Sequence, residues 1–69
     1  MMDRDTLFLT LQAKEIETAH NSGDKESPSV VVTCKDGEKY SLEKGFLEKY
    51  KVCLSVVKGK PQKWYVEER

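Results

Sequence analysis

Sixty-nine residues make a single domain, 1–69, and a chain this short buries only about 60% of the surface that it exposes when unfolded, so its core is thin. The composition, 38% apolar and 35% charged, is globular, and 12 basic residues against 12 acidic ones give a formal charge of zero. That balance argues against a binder of nucleic acid or membrane driven by overall charge, and a thin core leaves little room for the desolvated cleft that an enzyme needs.

The charge is unevenly spread. Residues 1–27 carry Arg4, Lys14 and Lys25 against Asp3, Asp5, Glu15, Glu17, Asp24 and Glu26, whereas residues 28–69 are net basic. No acidic residue occurs from Lys49 to Val66, a stretch that holds Lys49, Lys51, Lys58, Lys60 and Lys63 beside Trp64 and Tyr65. The start, Met1-Met2-Asp3-Arg4-Asp5, lacks the basic flank of a signal peptide, and Leu7-Phe8-Leu9 is far too short to span a bilayer. A cytoplasmic protein without membrane contact is expected. Cys34 and Cys53 read as free thiols in strands, and with His20 as the only histidine they do not complete a zinc site. No metal or cofactor is expected.

In chain order, residues 6–17 read as a strand, because Leu7, Leu9, Leu11 and Ala13 alternate with Thr10, Gln12 and Lys14. The competing pattern is a helical stripe through Leu9, Ala13, Ile16 and His20, which gives an N-terminal helix over residues 4–20 packed on a four-stranded sheet. Residues 20–28 contain no aliphatic side chain and are punctuated by Gly23 and Pro28, the composition of a polar surface loop. Next, Val30–Lys35 and Glu38–Leu42 flank Asp36-Gly37, the sequence of a two-residue type I′ hairpin turn. That turn sets Val31 opposite Leu42 and Thr33 opposite Tyr40 on the core side, leaving Val30, Val32 and Cys34 on the other.

Ser41 is placed to cap a short helix near residues 42–50, with Phe46, Leu47 and Tyr50 on one side and Gly45 limiting its length. A second hairpin follows, Val52–Val57 returning as Lys63–Glu67. Pairing Val56 with Trp64 and Leu54 with Val66 gathers one apolar core side, and Gly59 can supply the positive φ of a bulged turn. Tyr65 and Lys63 then share the opposite side with Ser55 and Val57. The expected fold is α+β and β-rich: a small twisted antiparallel sheet or partly open barrel of about five strands, with one short helix.

Signatures of catalysis are missing from the sequence. His20 has no nucleophile elbow or cysteine pattern to serve, Glu15 and Glu17 are explained by a solvated strand end, and no phosphate-binding glycine spacing occurs. A non-enzyme with no small-molecule substrate is expected. Two functions fit. One is a non-catalytic protein-binding module, a regulator, inhibitor or adaptor, using the apolar β positions left off the core side, Val30, Val32, Val57 and Tyr65, to contact a larger protein or a second copy of itself. The other is a single-stranded DNA or RNA binder in which Lys58, Lys60 and Lys63 meet the backbone while Tyr65 and Tyr40 stack on bases. The short length also suits the small regulators of viral and mobile elements.

Overall fold

A computed structural model describes residues 2–69, excepting the side chain of Gln62. Its elements are α1 (Arg4–Ala13), β1 (Ile16–Asn21), β2 (Val30–Cys34), β3 (Lys39–Leu42), α2 (Lys44–Lys49), β4 (Tyr50–Val57) and β5 (Lys60–Glu68). The five strands form one antiparallel sheet in the order β3-β2-β1-β5-β4. This is the expected β-rich α+β architecture, open rather than closed, with two helices in place of one.

The strand expected over residues 6–17 is instead a helix followed by a turn into β1. Asp3 starts the helix, its side chain accepting the Thr6 N–H at 2.7 Å, and Asp5 adds an acid in the first turn, where the helix dipole favours it. Leu7 and Leu11, which alternation also explains, lie four residues apart and so share a helical face, with Phe8 beside them. Leu11 is buried, Leu7 and Phe8 pack against the core, and Leu9, the first residue of the competing stripe, is 64% exposed. The helix ends at Ala13, well short of residue 20, where Lys14 turns extended while its N–H still reaches the Thr10 carbonyl. The β-branched Ile16 and Thr18 then favour a strand. His20 and Asn21, expected in the loop, complete β1 and pair with Val31 and Val30.

The first hairpin departs from expectation by one residue. Val30 pairs with Leu42, Val31 with Ser41, Val32 with Tyr40 and Thr33 with Lys39. Lys35, Asp36 and Gly37 form a three-residue loop, with the Gly37 N–H on the Cys34 carbonyl, the Cys34 N–H on the Glu38 carbonyl and Gly37 at φ +93°. A type I turn closed by a left-handed glycine thus replaces the type I′ turn. Because side chains alternate, a slip of one exchanges the faces. Val32 and Cys34 become fully buried and Val30 packs against them, while Val31 and Thr33 move to the opposite side. The observed register places Val30, Val32, Cys34, Tyr40 and Leu42 together on the core side, more apolar surface than the alternative gathers.

The helix after β3 begins two residues later than expected, its cap at Glu43 rather than Ser41, and Tyr50, expected on it, opens β4 instead. Glu43 occupies the cap position without a side-chain bond, and the Ser41 hydroxyl donates to the Glu43 carboxylate at 3.1 Å. Leu11, Ile16, Val32, Cys34, Leu42, Phe46, Tyr50 and Val66 form the core, drawn from both helices and all five strands. Both helices therefore serve one face of the sheet.

Candidate functional site

The β4–β5 hairpin is the longest in the fold and the least supported by neighbours. β1 meets β5 at a single pair, Ile16 with Trp64, so the tip beyond Trp64 extends past the rest of the sheet. Burial falls along β4 from a buried Tyr50 to an exposed Val56 and Val57. Near the base, Val52 pairs with Val66, Cys53 with Tyr65, Leu54 with Trp64 and Ser55 with Lys63; nearer the tip, Val56 pairs with Pro61 and Val57 with Lys60. The extra residue, Gln62, lies in β5. A two-residue turn, Lys58-Gly59, closes the hairpin with φ of +52° and +78°, the type I′ geometry expected for the other hairpin.

The bulge preserves the expected sharing of faces but moves the partners. Leu54, Val56, Trp64 and Val66 do lie on one side, yet Leu54 faces Trp64 rather than Val66. Only the base of that side is covered. Val66 is buried and Trp64 packs against the core, whereas Leu54 is 37% and Val56 57% exposed. Sequence reasoning assigned both to the core; the mismatch in length between an eight-residue β4 and a four-residue β3 is the signal that this hairpin overhangs.

The opposite, helix-free face carries Thr18, His20, Val31, Thr33, Lys39, Ser41, Lys51, Cys53, Ser55, Lys63, Tyr65 and Glu67, as the strand register requires. Tyr65 and Val57, both expected at a binding surface, lie there or at its tip, with Tyr65 38% and Val57 50% exposed. Val30 and Val32, expected beside them, are on the covered side. Lys63 joins Tyr65, and Lys58 and Lys60 follow at the tip. Tyr40 is half-buried on the other face, with the Lys14 ammonium 5.7 Å from its ring centre. It does not form a joint stacking platform with Tyr65.

Local electrostatics tie the centre of this face together. Lys51 pairs with Glu67 across the strands at 3.1 Å, and the Cys53 thiol donates to the same carboxylate at 3.6 Å. Cys53 first, then Glu67, pushes the Tyr65 phenol above its ordinary value. Both cysteines are free, and burial raises the Cys34 thiol, keeping it protonated. Near the start of β1, Ile16, Leu54, Pro61 and Trp64 line an open cleft of about 380 Å³. Glu15, one of its polar groups, is engaged by Lys35 at 3.1 Å.

Among the described residues there is no group of three or more His, Cys, Asp or Glu suited to hold a metal ion. No helix among them is long and apolar enough to cross a membrane. The chain matches no family model, no curated protein and no solved structure.

Proposed function

We propose that the protein is a non-catalytic binding module of the cytoplasm, a regulator, inhibitor or adaptor that engages another protein, or a second copy of itself, through the β4–β5 hairpin. One observation carries this reading. Of the six exposed large apolar side chains among the described residues, Leu54, Val56, Val57 and Tyr65 belong to this hairpin. Isolated exposed apolar residues are ordinary, but a cluster of them on one projecting element calls for a covering partner. In affinity capture with the labelled chain as bait, Val57→Glu and Tyr65→Glu are expected to release the partner retained by the parent protein. Retention unchanged in both variants overturns the reading.

A second reading, the binding of single-stranded nucleic acid, is favoured by the segregation of charge. At the paired positions of the helix-free face, Lys39, Lys51 and Lys63 face a single acid, Glu67, with Lys58 and Lys60 continuing the basic edge at the tip. In this reading Tyr65 stacks and the lysines neutralise phosphates. Titration of labelled protein with a mixed-sequence single-stranded oligonucleotide is then expected to shift the amides of Lys58 to Tyr65 at low salt and much less at physiological salt. A flat response at low salt retires it.

A further inference from the structure

We infer that the partner of the hairpin includes a second copy of this chain, paired edge to edge through β4 in a two-fold dimer centred on Leu54; this rests on the hairpin being a protein-binding element. β4 forms one edge of the sheet, and its outer side has no strand partner among the described residues. Exposed edges are ordinarily guarded by shortness, charge, proline or a bulge. The other edge follows that rule, since β3 has four residues and begins with Lys39. The β4 edge is guarded only near its start, by Lys51. From Val52 to Val57 it carries neither charge nor proline, and the bulge of this hairpin lies on β5, so β4 stays regular.

An antiparallel two-fold pairing must set like faces side by side, which requires the axis to pass through a residue rather than between two. Centred on Leu54, it places Leu54 opposite its own copy and Val52 opposite Val56 of the second copy, covering side chains that a lone chain exposes. Cys53 then faces Ser55 of the second copy. Charge supports the same arrangement. The basic tip, Lys58 and Lys60, comes to the Tyr50 end of the second copy, where Glu48 and Glu68 stand. None of these four has an ion-pair partner within 4 Å among the described residues, whereas the basic groups at that end are engaged, Lys49 by Asp5, Lys51 by Glu67 and Arg69 by the Leu47 carbonyl. The result is a continuous ten-stranded sheet with all the helices on one side.

Sedimentation equilibrium of the full chain, from micromolar to millimolar concentration, is expected to show the mass rising from 7.9 kDa toward twice that value. Leu54→Lys and Val56→Lys, both at exposed positions, are expected to keep the protein folded by circular dichroism and hold it at the monomer mass. Under mild oxidation, Ser55→Cys should form a disulfide-linked dimer that disappears when Cys53→Ser is added. A link that persists in that double variant puts the axis at Ser55 and overturns the proposed register. A monomer mass throughout, or dimers undiminished by both lysine variants, overturns the dimer. If the monomeric protein still loses a captured partner on Val57→Glu and Tyr65→Glu, self-pairing alone has failed; if those variants retain the partner, the hairpin reading has failed with it.

Discussion

Tyr50 is the residue on which the two helices and the sheet converge. Its ring stacks on Phe8, with centres 4.1 Å apart and planes 7° from parallel, and leans against Phe46 at 5.0 Å. Its hydroxyl donates to the Asp5 carboxylate, which also accepts from the Lys49 ammonium at 2.9 Å. The hydrogen bond from Tyr50, then that from Lys49, holds the Asp5 carboxyl below its ordinary 3.8, and the same bond holds the Tyr50 phenol above 10.0. Asp3 and Asp36 are also lowered, by the Thr6 N–H and by Lys14 respectively. A carboxyl depressed by folding contributes stability that is present above its unfolded value and lost as pH falls through its folded one. The urea midpoint is therefore expected to drop as pH falls below about 4, and to drop less in Asp5→Asn. For Tyr50 the sign reverses: its contribution is present below the unfolded value and lost as pH rises through the folded one, so Tyr50→Phe should flatten the alkaline limb of the same profile. Away from charge, Leu42 is fully buried, and Leu42→Ala should cost about 2–5 kcal/mol in denaturant unfolding.

At the scale of elements, alternation was easy to see and its phase was not. In β2, three consecutive valines let either register read as a strand, and only the three-residue loop around Gly37 decides which valine is inside. Val32→Thr buries a hydroxyl in an apolar site and should cost about 1–3 kcal/mol, whereas Val31→Thr on the helix-free face should be near neutral; a reversed order in urea unfolding would overturn the register. Lys58 adopts the left-handed conformation at φ +52°, where Asn is more at ease, so Lys58→Asn should raise the midpoint of thermal unfolding. The N-terminal segment shows the same ambiguity between periods. Leu7 and Leu11 satisfy both two-residue and helical spacing, and the deciding signal was Asp3 three residues before Thr6, a cap that alternation ignores. The strand-forming tendency of the second hairpin was legible throughout; its bulge at Gln62, which moves Trp64 from Val56 to Leu54, was not.

At the scale of the molecule, α1 spans the structure from the Tyr50 end to the first hairpin. At one end Arg4 donates to the Gly45 carbonyl at 3.3 Å, and at the other Lys14 meets Asp36 at 2.6 Å. Between them Leu11 is 2% exposed. So thin a core has no second layer to substitute for this helix, and Leu11→Asp should abolish the cooperative thermal transition seen by circular dichroism rather than merely lower its midpoint. The arrangement also sorts charge. The acidic N-terminal third supplies α1 on the covered side, while the basic second hairpin overhangs in the open.

The amino-acid sequence alone implies the β-rich α+β class, both hairpins, a short helix carrying Phe46, and the Lys-rich tip beside Tyr65. These depend on local signals: glycine turns, β-branched runs and spacing along a few residues. Only three-dimensional packing puts Val30 and Val32 on the core side and leaves Leu54 and Val56 uncovered. Each of these depends on which face of the sheet receives the helices and on how far β1 accompanies β5, and a contact between Ile16 and Trp64, forty-eight residues apart, has no signature in the local pattern of either strand.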